Sequence, residues 1–315
     1  MSSLKSAFRA TRLTATTFLI KEYDDVYAER PHIYAKIVPS ADTILVVDMG
    51  CGGRSVDPDV EVTSLREFIE TFPVQDNDGK ALNPGGTMSY IIVTTHCHYD
   101  HILAIEQFAG SPILASSHSP EFLSPSALPH NTLCSSLGLE LPQYTPTLVP
   151  HGFEIHTSEG TPTGVKVLHT PGHTPDELAL YDETEKMLYV GDTLYEKERI
   201  IFPNEGSISI WFSSMDFMID FVEKENRRIM GVPGGQSGEV LINAGHATSL
   251  RPALEVLNGA KAFLAEVVEG KELVKRKYVV RGEMNVEYDQ ESGQFSLRCP
   301  EKLVVEAQTQ KVPSK

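Results

Sequence analysis

His96-Cys97-His98-Tyr99-Asp100-His101 sets three imidazoles and one carboxylate close together, directly after the apolar run Tyr90-Ile91-Ile92-Val93-Thr94. Neutral imidazole and carboxylate are the ligands that hold zinc or iron. The apolar run reads as a buried strand, and alternate residues of an extended chain point the same way, so His96 and His98 project toward one ion while Cys97 points away. Asp100 and His101 lie beyond, where the chain turns into a helix, placed to reach a second ion. A histidine-rich surface turn is the competing reading; three histidines at this spacing plus an aspartate, in a chain with 11 His, weigh against it.

The H-x-H-x-D-H string resembles the signature of the metallo-β-lactamase superfamily, the αββα metallohydrolases. Three later motifs repeat that family's order: His173 in Thr170-Pro171-Gly172-His173-Thr174, Asp192 in Leu188-Tyr189-Val190-Gly191-Asp192, and His246 in Asn243-Ala244-Gly245-His246. The resemblance runs from about Thr43 to His246. It implies a four-layer αββα sandwich in which His96, His98 and His173 hold one metal, Asp100, His101 and His246 hold the other, and Asp192 bridges. Upstream, Val46-Val47-Asp48-Met49-Gly50-Cys51-Gly52-Gly53 matches the family's strand-end aspartate and glycine-rich turn. Asp48 is therefore expected to orient a ligand histidine from behind.

The resemblance further implies two divalent ions, zinc being favoured and iron or manganese the alternatives, that share an activated hydroxide aimed at a carbonyl. Asp100 or Asp192 is then placed to carry a proton to the leaving atom. Tyr195, three positions after Asp192, is similar in placement to a tyrosine of the lactonase branch whose hydroxyl helps hold the substrate carbonyl oxygen. The expected activity is opening of a small cyclic ester or amide, a lactone or lactam. The alternatives are a thioester hydrolase of the glyoxalase II type, a mononuclear iron persulfide dioxygenase, and a non-catalytic metal-binding module. Lys271, Lys275, Arg276 and Lys277 read as a solvated helix end and not as a site for a tripeptide's carboxylates. The flavo-diiron branch tends to carry Glu where this chain has His98.

A formal net charge of −16 argues against a phosphate-backbone ligand, which requires clustered Lys and Arg. At 41% apolar residues the chain can bury a core, yet no run approaches the 18 apolar residues of a membrane span and no apolar signal core is evident at the N-terminus. The expected setting is the cytoplasm, with a small-molecule substrate and neither nucleic acid nor membrane as partner. Cys51, Cys97, Cys134 and Cys299 show no paired spacing, so reduced thiols are the default.

Strand-like and helix-like patterns alternate as a layered α/β protein requires. Residues 13–17, 32–37, 43–48, 113–115, 165–169, 178–181 and 187–190 read as strands, and 63–72, 102–108, 208–222 and 252–268 as helices. A hairpin of 285–288 with 294–298 turns at Glu291-Ser292-Gly293. Residues 116–164 read as an irregular excursion whose His118, His130, His151 and His156 are solvated loop residues, and Trp211 and Phe212 read as core. One domain over 1–306 and a frayed tail over 307–315 complete the expectation.

Overall fold

The computed structural model describes residues 4–231 and 238–310. The chain folds as two compact units, Met1–Val165 and Lys166–Lys315.

The first unit is built on a seven-stranded sheet ordered β1 (Phe8–Arg12), β2 (Thr17–Glu22), β3 (His32–Val38), β4 (Thr43–Val47), β5 (Ser89–Val93), β6 (Ile113–Ser116) and β7 (Thr147–Val149). β1 to β4 pair antiparallel, and β4 to β7 pair parallel. All five residues of β4 and the last four of β5 are buried. Burial on both faces is why these two segments read as unbroken apolar runs. Phe18, Ile20, Ile33, Ile44, Val46 and Ile92 pack on one face with Leu65, Phe68 and Ile69 of α1 (Leu65–Thr71). Ser64 caps α1 by accepting from the Glu67 N–H. Because β4 and β5 run parallel with Val47 beside Val93, Asp48 and the segment entering α2 (Tyr99–Ile102) leave the sheet together. Carboxyl ends of parallel strands are where α/β sheets place their ligands.

The 116–164 segment is more ordered than its composition predicts. It holds α3 (Leu128–Asn131), α4 (Cys134–Leu137), β7, β8 (Glu154–His156) and the start of β9 (Pro162–His169). Phe122, Leu123 and Leu128 enclose Cys97 and Ala115 in a small core of their own, so Cys97 faces away from its two histidine neighbours as expected.

In the second unit, β10 (Leu178–Asp182) and β11 (Met187–Tyr189) continue the six-stranded sheet whose order is β14-β13-β11-β10-β9-β8. A further sheet has the order β12-β17-β16-β15. β12 spans Arg199–Ile201, β13 Leu241–Asn243, β14 Arg251–Pro252, β15 Arg276–Val280, β16 Glu283–Asp289 and β17 Ser296–Pro300. Helices α5 (Ile208–Met230), α6 (Ala253–Val268) and α7 (Glu301–Thr309) pack on these strands. Trp211, Met215, Met218 and Val222 of α5 meet Val256, Leu257, Phe263 and Leu264 of α6 in one core. Trp211 is fully buried there, and Phe212 packs against it partly exposed.

Three expectations need correction. Residues 13–16 form the turn between β1 and β2, closed by Leu13 N–H donating to the Thr17 carbonyl at 2.9 Å, and only Thr17 is strand. Arg276 and Lys277 begin edge strand β15 and not a helix end; charged side chains protect such an edge from stray pairing. Ala307 to Thr309 belong to α7, where Ala307 is buried, while residues 311–315 lie outside the described part.

Candidate metal centre

In the first unit, Asp48 organises the H-x-H-x-D-H segment. Its carboxylate accepts from the Thr95 N–H at 2.8 Å, the Thr95 hydroxyl at 2.9 Å and His101 Nδ1 at 2.9 Å. A hydroxyl has one proton to give, and Thr95 gives it to Asp48. At His96 Nδ1, 3.1 Å away, the Thr95 oxygen must therefore accept. The network thus assigns the ring proton of both His96 and His101 to Nδ1, leaving an Nε2 lone pair on each. His96 Nε2 faces His98 Nδ1 at 2.9 Å, and His101 Nε2 faces Asp100 Oδ2 at 3.5 Å. All four motif residues are buried. Asp48 itself has φ 61°, a left-handed conformation that Asp tolerates better than bulkier residues.

The glycine-rich turn after β4 ties this arrangement to the sheet. Met49 N–H donates to the His101 carbonyl at 2.8 Å and Leu103 N–H to the Gly50 carbonyl at 3.1 Å, bracketing α2. The turn closes on buried Glu22, whose carboxyl accepts from Cys51 N–H at 2.7 Å and Gly53 N–H at 3.2 Å. Burial outweighs these donors and pushes the Glu22 carboxyl up to about 8, from 4.5 in solvent. The folded state therefore holds this proton where the unfolded chain has lost it. Stability falls as pH rises from 4.5 to about 8, by ~2–5 kcal/mol for this group alone. Glu22→Gln, which cannot ionise, should flatten that part of the melting-temperature profile between pH 4.5 and about 8. Parallel profiles for the two proteins would contradict the assignment.

In the second unit, His173 sits in a turn fixed to the start of α5. Ser207 N–H donates to the Gly172 carbonyl at 2.8 Å and the Ser214 hydroxyl to the Pro171 carbonyl at 2.6 Å. His173 Nδ1 lies 2.7 Å from the Ile201 carbonyl. A carbonyl only accepts, so Nδ1 carries the proton and Nε2 the lone pair. Asp192 follows β11, its N–H donating to Glu177 Oε1 at 3.1 Å, while Trp211 Nε1 donates to the Thr193 carbonyl at 2.7 Å. Asp192 Oδ1 lies 3.5 Å from His246 Nε2, and the buried Tyr195 ring meets the His246 ring edge-on at 5.3 Å.

Two groups of buried side chains could hold metal ions: His96, His98 and His173, and Asp100, His101, Asp192 and His246. The donors are imidazole nitrogens and carboxylate oxygens without a thiolate, a set that fits zinc, iron or manganese. His118, His130, His151 and His156 are in neither group, and all four are exposed. Cys51, Cys97, Cys134 and Cys299 are buried and form no disulfide among the described residues. Sequence reasoning missed Thr95, Glu177, Ser214 and the Trp211 indole as supports. Of these, Glu177 carried a signal, a charged residue placed just before the apolar strand Leu178–Asp182.

A model of the metallo-beta-lactamase superfamily matches residues 88–258, more than half of the chain. The chain belongs to the metallo-beta-lactamase superfamily. Its expected αββα fold class is that of this superfamily, and it is a superfamily hydrolase. It is 34% identical over 275 residues to an Aspergillus versicolor protein named "Putative transcription factor avaE", covering 86% of this chain and 79% of that one. It is 33% identical to an N-acyl homoserine lactonase of Bacillus sp over 124 residues, covering 36% of this chain and 41% of the lactonase. It is 24% identical to an acyl-coenzyme A thioesterase of Homo sapiens over 201 residues, covering 60% and 67%. A metallo-beta-lactamase family protein of Thermus thermophilus shares the fold, with TM-score 0.56, 18% identity and coverage of 85% and 86%.

Proposed function

We propose that this superfamily member is a dinuclear metal-dependent hydrolase that opens a small lactone or lactam. The observation that carries the reading is the buried donor set, whose tautomers are fixed so that His96, His101 and His173 each present Nε2. His96, His98 and His173 would hold one ion, and Asp100, His101, Asp192 and His246 would hold the other. Divalent ions held there, zinc by preference, would supply a water of near-neutral pKa and a polarised carbonyl.

The chain's own residues supply the remainder. Asp48 keeps the His101 proton on Nδ1, directly, and that of His96 through Thr95. Tyr195 donates its hydroxyl to the carbonyl oxygen as that atom gains charge. Asp100 or Asp192 takes up a proton at a carboxylate oxygen and delivers it to the leaving atom, which an amide nitrogen needs more than a thiolate does. Tyr195 beside His246, together with the likeness to an N-acyl homoserine lactonase, favours a cyclic ester over a thioester.

Likeness to an acyl-coenzyme A thioesterase keeps thioester hydrolysis as the second reading. The transcription-factor name of the Aspergillus relative is not carried over, because a net charge of −16 is unfavourable for binding nucleic acid. No helix among the described residues is long and apolar enough to cross a membrane. The test is a panel of lactones, lactams and thioesters given to metal-replete protein. Turnover of a lactone or lactam is expected; turnover of thioesters alone would overturn the choice.

A further inference from the structure

We infer that Glu196 and Arg251 are positioning residues that hold Tyr195 against His246. The inference rests on the reading that Tyr195 and His246 serve the hydrolytic site. These two side chains come from separate segments, one following β11 and one following β13. The His246 turn is strained: Ala247 has φ 48° and Leu250 φ 54°, left-handed values that residues with a Cβ adopt at a cost. Such a turn keeps its shape only when its surroundings fix it.

Glu196 supplies that fixation at both ends of the turn. Its N–H donates to Thr248 Oγ1 at 2.7 Å, two residues beyond His246. Its carboxylate, on a residue only 6% exposed, accepts from Arg251 Nε at 3.0 Å, Arg251 Nη2 at 3.4 Å and Gln294 Nε2 at 3.0 Å. Arg251 opens β14 directly after the turn, and its Nη2 also donates to Glu255 on α6 at 2.7 Å. Within the turn, Thr248 N–H donates to the His246 carbonyl and Leu250 N–H to Asn243 Oδ1 at 3.0 Å. An ion pair with one buried and one exposed partner adds little net stability, but its two-pronged geometry specifies one arrangement. The geometry specified here is the 5.3 Å edge-to-face contact of Tyr195 with His246.

Full-length metal-free protein provides the test, through the side-chain NMR signals of the histidines, with Arg251→Ala, Arg251→Lys, Glu196→Gln and Tyr195→Ala compared. The Tyr195 ring current displaces the His246 signal, and Tyr195→Ala defines its undisplaced position. Arg251→Ala and Glu196→Gln are expected to move His246 toward that position with His96 and His173 unmoved. The second cobalt(II) ion should bind about 10–100-fold more weakly. Arg251→Lys should restore only part, lacking the planar fork. Because the Arg251 side chain is 42% exposed, its replacement should leave the unit folded. An unmoved His246 signal in both variants would overturn the inference. So would loss of all histidine dispersion in Arg251→Ala, which would assign the pair to folding. No substrate is needed, so a protein that shows this effect yet hydrolyses nothing would refute the hydrolase reading and keep the inference.

Discussion

Tyr195→Phe is expected to lower kcat for a ring-opening substrate by about 100- to 1,000-fold, ~3–4 kcal/mol of transition-state stabilisation. The expectation follows from where the residue lies. Tyr195 is 4% exposed, and its ring contacts the His246 ring. Removing only the hydroxyl keeps that ring contact and takes away one donor. A donor that matters when charge appears on the carbonyl oxygen lowers kcat more than it raises KM. Steady-state kinetics of the variant, with metal content measured alongside, checks this. An unchanged kcat at full metal content would remove Tyr195 from the chemistry.

Gly172→Ala should be a severely damaging small substitution near the site. Gly172 has φ +154°, and an added Cβ would lie 2.6 Å from both Cα and Cβ of Trp211. Neither atom can move without shifting α5, whose Trp211 is fully buried. We expect a loss on the order of 3 kcal/mol or more in stability, as for other severe core overlaps, and displacement of His173 with it. Gly138→Ala is the control: its φ is +67° with nothing within 4 Å of the added atom, so only the left-handed backbone term of ~1–2 kcal/mol applies. Denaturant melts of the two variants separate the effects. Equal losses would show that the Trp211 overlap is relieved without consequence.

What the sequence disclosed and what it hid divide along physical lines. β4 and β5 were legible because strands buried on both faces become unbroken apolar runs. β1 was not, because Phe8–Arg12 is half exposed and carries two arginines. β15 was mistaken for a helix end because the cations that protect a sheet edge resemble those of a solvated helix terminus. Candidate ligands were legible one by one, since each stands in a short local motif. Of their supports, Asp48 was legible from its strand-end motif and does meet His101, but its bond to Thr95 across 47 positions and that of Arg251 to Glu196 across 55 have no local signature. Tertiary contacts of this kind decide which ring nitrogen carries the proton, and with it which atom faces a metal.

Elemental analysis of purified, metal-replete protein tests the central claim most directly. The account predicts two divalent ions per chain, with loss of binding in His96→Ala, His173→Ala and Asp192→Ala while the glycine control Gly138→Ala retains both. A protein that holds no ion, or one whose ion content is indifferent to those three substitutions, would contradict it.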